Sequence, residues 1–183
     1  MEIRFVSGNK YKIEETQKIL EQDGIKIIPF DFKIEELQTL DVKNLVKDKL
    51  LKAFKKIGKP LFVEHTGLYI EYLNDFPSGL TQIFWDKLQK EKFSEIIGNL
   101  SNTKTIAKTV IGYCDGKKLY FFEGEVEGEI INIPKGDPKF QWDCVFKPKG
   151  EKETFAEMGD LKNDISMRKK ALIEFKNHIK KTV

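Results

Sequence analysis

A chain of 183 residues that is 40% hydrophobic and 33% charged is long enough to bury a core and too apolar to remain disordered. Its 32 Lys and Arg against 29 Asp and Glu leave a formal charge of +3, too small a surplus to argue for a nucleic-acid partner. No apolar run approaches the roughly 20 residues that span a bilayer, so the composition predicts one cytoplasmic domain over 1–183, with no membrane or targeting segment.

Glu2 to Val6 reads as a buried strand, and Asn9 is placed to cap a helix running to about Asp23. Gly24 then breaks the chain before a second strand over 25–30. From Asp41 the apolar residues Val42, Leu45, Val46, Leu50, Ala53, Phe54 and Ile57 follow a 3.6-residue period, and Gly58 and Pro60 stop that helix. A short buried strand over 61–63 leads into Glu64, His65, Thr66 and Gly67. Strand and helix therefore alternate at first, the pattern of an α/β sheet with crossover connections.

The middle of the chain changes character. Residues 105–113 and 118–123 flank Asp115-Gly116, a strong hairpin signal, and 125–133 reads as a third antiparallel strand. Ser166 can cap the last helix, where Arg168, Ala171, Leu172, Phe175 and Ile179 share one face. Cys114 and Cys144 lack metal-ligand spacing and read as buried thiols.

Four segments can carry chemistry. Ser7-Gly8-Asn9 lies where a strand gives way to a helix, so free N–H groups converge there, Gly8 permits close approach of a phosphate, and Lys12 is one turn on. Simple helix capping explains the same residues. Glu35 and Glu36 precede the second helix and Glu64 ends the third strand; two such carboxylates could hold Mg²⁺, or all could be solvated acids. Phe140-Gln141-Trp142-Asp143 follows a Pro/Gly loop, so its rings can sandwich a base while Asp143 accepts from the base edge; core aromatics at a strand start are the alternative. Lys162, Ser166 and Arg168 bring cations to a helix start, where the macrodipole disfavours them unless an anion is bound.

Taken in order, these segments resemble the inosine triphosphate pyrophosphatase family. Ser7-Gly8-Asn9 with Lys12 and Glu15 is similar to its T/S-G-N-x-x-K-x-x-E loop, and Glu36-Leu37-Gln38 to its metal-binding segment. Glu64 to Leu68 resembles an acidic pair followed by T/S-G-L, Phe140 to Asp143 resembles F-G-W-D, and Thr154 to Ala171 resembles T-x-A-E-M, K-N and S-H-R. The resemblance implies a bent mixed β-sheet flanked by helices, two lobes with a nucleotide cleft between them, Mg²⁺ dependence and a homodimer. The implied reaction splits aberrant purine triphosphates into monophosphate and pyrophosphate. Ser7, Gly8, Asn9, Lys12 and Lys162 would touch the triphosphate; Glu36, with Glu64, would hold the metal; Phe140, Trp142, Asp143 and Arg168 would enclose the base. Lys12 and His65 would carry the catalysis.

Four departures qualify this picture. His65 replaces the second acid of the pair, Met167 replaces the histidine of S-H-R, Gln141 replaces the glycine of F-G-W-D, and Pro77-Ser78 stands for P-G. An imidazole can accept a proton from water, pair with phosphate, or ligate a metal, the last favouring Mn²⁺. Glu64 cannot inherit the role, because neighbours on a strand face opposite sides. A nucleotide-binding sensor that has lost turnover through His65 is the alternative of another class.

Overall fold

The computed structural model describes residues 1–182 and begins with the expected alternation. β1 (Glu2–Val6) leads into α1 (Lys10–Glu21), where Asn9 Oδ1 accepts from the N–H of Tyr11 at 3.0 Å and of Lys12 at 3.2 Å. After β2 (Lys26–Phe30) comes α2 (Val42–Ile57), capped by Asp41 Oδ1 on the Asn44 N–H at 2.9 Å and ended by Gly58 at φ 65°. β3 (Leu61–Ile70) and the two-residue β4 (Phe76–Pro77) precede α3 (Thr81–Ile97). The hairpin of β5 (Lys104–Cys114) and β6 (Leu119–Ile130) turns at Asp115-Gly116, and β7 (Phe146–Pro148) pairs with the end of β6. The short helices α4 (Phe155–Met158) and α5 (Lys162–Ile165) lead to α6 (Met167–Thr182).

The seven strands form one mixed sheet in the order β2-β1-β3-β5-β6-β7, with β4 added beside β3. The strands β2, β1 and β3 run parallel, as helical crossovers require, and the remaining pairings are antiparallel. Helices α1 and α6 cover one face, where Ile3, Phe5, Phe62 and Ile111 meet Ile19, Leu172 and Phe175. Helix α2 covers the other, where Val6, Leu61, Val63 and Val110 meet Val46, Leu50 and Ala53. A third apolar cluster, around Trp85, Phe93, Phe146 and Phe155, forms at the other end of the sheet, with α3 and β7 contributing to it.

Two expectations are corrected. The third strand does not stop at Val63: Glu64, His65, Thr66 and Gly67 stay in the ladder, opposite Ile111, Val110, Thr109 and Lys108 of β5. Nor do 118–123 and 125–133 form two strands. Gly124 lies inside one continuous β6, because a Cβ there would meet the Met167 carbonyl at 2.2 Å and the Ala171 nitrogen at 2.6 Å. The glycine is a close approach of α6 to the sheet, not a break.

This topology leaves a gap. β1 pairs with β3 only at Leu61 and Phe62, and β4 only at Tyr69 and Ile70, so the stretch between is laddered to β5 alone. Continuing the β1 register (Arg4 beside Leu61, Phe5 beside Phe62) sets Ser7 level with Glu64. The loop entering α1 and the middle of β3 therefore meet at this free edge.

Candidate active site

The pleat divides β3 between two environments. Phe62 faces α6, so Glu64 does too; Leu61 and Val63 face α2, so His65 follows them. Each side chain heads its own polar cluster.

On the α1/α6 side, Arg168 Nε donates to Glu64 Oε2 at 2.7 Å, and Lys12 Nζ lies 2.5 Å from Glu64 Oε1. Arg168 Nη1 also donates to Glu15, and Lys162 Nζ bridges Glu15 at 2.8 Å and Asp143 at 2.5 Å. The result is an unbroken alternation, Lys12, Glu64, Arg168, Glu15, Lys162, Asp143, with three positive and three negative groups. Glu64, Asp143 and Lys162 are each 2% exposed and Arg168 is 1% exposed. Burying such charges is affordable only because each is paired. Phe140 covers the cluster: its ring centre lies 3.8 Å from Lys162 Nζ and 5.5 Å from Arg168 Cζ, and its edge meets Tyr11 of α1 at 5.7 Å.

On the α2 side, Glu36 is held between Lys49 Nζ at 2.5 Å and His65 Nδ1 at 3.6 Å, and Lys49 reaches the Glu64 carbonyl at 3.2 Å. His65 is buried, and its Nε2 has no hydrogen-bond partner. Burial pushes the imidazole below its usual value, outweighing the upward pull of Glu36, so His65 is neutral at pH 7. With Nδ1 turned to a carboxylate, the lone pair belongs to Nε2. Burial also lowers the Lys12 ammonium against the pull of Glu64.

The carboxyls divide. Burial opposes ionisation of Glu64, but Arg168 and Lys12 outweigh it and hold the group well below the ordinary range; His65 and Lys49 do the same for Glu36. Burial pushes Asp143 up to about 6 despite Lys162, and its Oδ1 has no partner. These shifts set the pH dependence of stability. A lowered carboxyl stabilises fully above its unfolded value of 4.5 and loses that contribution as the pH falls through the folded value. Asp143 acts in the opposite sense, losing stability as the pH rises from its unfolded 3.8 toward 6. Urea titrations are expected to show unfolding free energy dropping steeply with acid below pH 4.5, and Glu64→Gln is expected to flatten that slope.

Of the residues singled out in the sequence, Lys12, Glu64, Asp143, Lys162, Arg168 and Phe140 come together in one cluster, with Glu36 and His65 beside it. Ser7 and Asn9 border it, and both make capping bonds: Ser7 Oγ accepts from the Asn9 N–H at 3.2 Å. Packing does not demand glycine at position 8, since a Cβ there would come only within 3.9 Å of Asp31. Trp142 requires a correction. Its indole is 4% exposed and packs edge-on against Phe146 in the far apolar cluster, so it cannot stack on a base. Met167 is likewise buried in that cluster.

Two participants escaped the sequence analysis as site residues, Glu15 and Lys49. Glu15 lies one turn beyond Lys12. Lys49 had a legible signal: it lies four residues from Leu45 and four from Ala53, so a cation stands on the buried stripe of α2.

No group of three or more His, Cys, Asp or Glu among the described residues could hold a metal by itself. Glu64 does not fit the expected role of a metal ligand: it faces the α1/α6 side, and Lys12 and Arg168 hold its two oxygens. Glu36, an ionised and partly exposed oxygen donor on the α2 side, suits a hard cation which completes its shell with water and substrate phosphates.

Sequence and structure comparisons agree with one another. A profile of the Ham1 family matches residues 3–178. A dITP/XTP pyrophosphatase of Methanopyrus kandleri is 34% identical over 185 residues, covering 100% of this chain and 98% of the relative. An inosine triphosphate pyrophosphatase of Candida glabrata is 35% identical over 189 residues, covering 97% of each. Among solved structures, a HAM1 protein from Coxiella burnetii superposes with a TM-score of 0.82 at 27% identity, over 99% of each chain.

Proposed function

The chain belongs to the Ham1 family, and from that premise we propose that it hydrolyses purine nucleoside triphosphates of the inosine and xanthosine type to monophosphate and pyrophosphate. The observation that carries this reading is the buried alternation of Lys12, Arg168 and Lys162 with Glu64, Glu15 and Asp143, roofed by Phe140. Such ionic chains are seldom the most stable way to fill a core, and perturbed groups of this kind cluster at functional sites. A polyphosphate can take over the cations from the carboxylates.

In the proposed complex the Ser7-Gly8-Asn9 turn, Lys12, Lys49 and Lys162 hold the phosphates, and Arg168, 5.5 Å from the Phe140 ring, borders the base. The Phe140 ring packs on the base, and the unpartnered Asp143 Oδ1 receives a base N–H. Water held at His65 Nε2 attacks the α-phosphorus, its proton passes to that nitrogen, and the bond to the α,β-bridging oxygen breaks. The cations stabilise the departing pyrophosphate. Glu36 keeps His65 oriented through Nδ1. Mg²⁺, or Mn²⁺, held by Glu36 together with the substrate would screen the polyphosphate charge. A homodimer and a cytoplasmic location complete the reading.

Pyrophosphate release should be measured for ITP, XTP, dITP and the four common triphosphates, with Mg²⁺ and with Mn²⁺. Turnover of the first three well above the common four is expected. Calorimetric binding without any release would instead favour a nucleotide sensor.

A further inference from the structure

Beside Phe140 stands a residue whose backbone is out of place. Gln141 has φ 51° and ψ −126°, a region left almost wholly to glycine. A side chain persists there only where its surroundings hold it. Gln141 Nε2 donates to Gln82 Oε1 of α3 at 2.7 Å, and Gln82 Nε2 donates to Asp86 Oδ1 at 2.8 Å.

This relay has a direction. An ionised carboxylate only accepts, so Asp86 draws the NH₂ of Gln82 toward itself and leaves the Gln82 oxygen facing Gln141. The Gln141 NH₂ is thereby engaged, and its Oε1 remains as an acceptor. An amide free to flip would read donors and acceptors alike; one fixed at its nitrogen presents a carbonyl.

We propose that Gln141 is a specificity-determining residue for the purine base, presenting a carbonyl acceptor to the base edge, with Gln82 and Asp86 as positioning residues that set its polarity. This rests on the nucleotide-hydrolysing reading of the same site, with the base on Phe140. The favoured bases carry an N–H donor at that edge, such as N1–H of a 6-oxopurine or the amino group of a 6-aminopurine. A purine with neither loses the bond.

The test is calorimetric binding of two non-hydrolysable α,β-imido triphosphates, one of inosine and one of unsubstituted purine riboside, which lacks both N1–H and a 6-substituent. The wild type is expected to bind the inosine analogue about tenfold more tightly, the worth of roughly one hydrogen bond. Gln141→Met should bring that ratio to within about twofold, and Asp86→Ala, which frees the amide to turn, should reduce it about threefold. An unchanged ratio in Gln141→Met, or no binding of either analogue, overturns the proposal. Pyrophosphate release from ITP by the wild type is measured in parallel. Turnover with an unchanged ratio sinks the role of Gln141 alone, whereas the expected ratios without turnover sink hydrolysis alone.

Discussion

Arg168→Met is expected to lower the unfolding free energy by about 3–5 kcal/mol, the usual consequence of leaving buried charges without their partner. For a chain of this size that is a fall of roughly 6–20 °C in melting temperature. The guanidinium is 1% exposed and serves two carboxylates at once, Glu64 through Nε and Glu15 through Nη1. Methionine fills much of the volume but offers neither acid a hydrogen, so the loss is electrostatic rather than a cavity. Adding Glu64→Gln should recover part of it, since one of the stranded charges is then gone, and the two changes should be clearly non-additive. If Arg168→Met melts with the wild type, the ionic chain is not what holds α6 against β3. Calorimetric titration with nucleotide should show the same variant losing affinity.

The second large effect concerns rate. His65→Asn is expected to lower kcat by about 10²–10⁴, the range attributed to a positioned general base, while folding and nucleotide binding persist. Asparagine keeps a polar group toward Glu36 but has no basic nitrogen at the place of the unpartnered Nε2. Rates under single-turnover conditions, alongside calorimetric binding, separate the two effects. Full activity in His65→Asn would remove the imidazole from the mechanism and leave the activation of water to other groups.

The folding signals were clearest where one residue decides one local feature. Asn9 and Asp41 as caps, Gly58 as a stop, the turn at Asp115-Gly116, and the buried face of α6 all follow from local chemistry. The signals failed where a distant partner decides. Glu64 and His65 interrupt the apolar run of β3, so the local pattern ends the strand too early; their burial is made possible by Arg168, more than a hundred residues away, and by Glu36. Gly124 looks like a break because nothing local reveals that α6 will lie against it. Trp142 and Phe140 look alike in sequence, yet the turn between them at Gln141 sends one ring into the core and the other over the cations. Lys49 is legible in the sequence, as a charge on an otherwise apolar stripe.

The most direct trial of the account is hydrolysis of dITP in ¹⁸O-labelled water, with mass analysis of both products. Attack at the α-phosphorus predicts that all of the label enters the monophosphate and that unlabelled pyrophosphate leaves. Label in pyrophosphate, release of orthophosphate, or no reaction at all would contradict it.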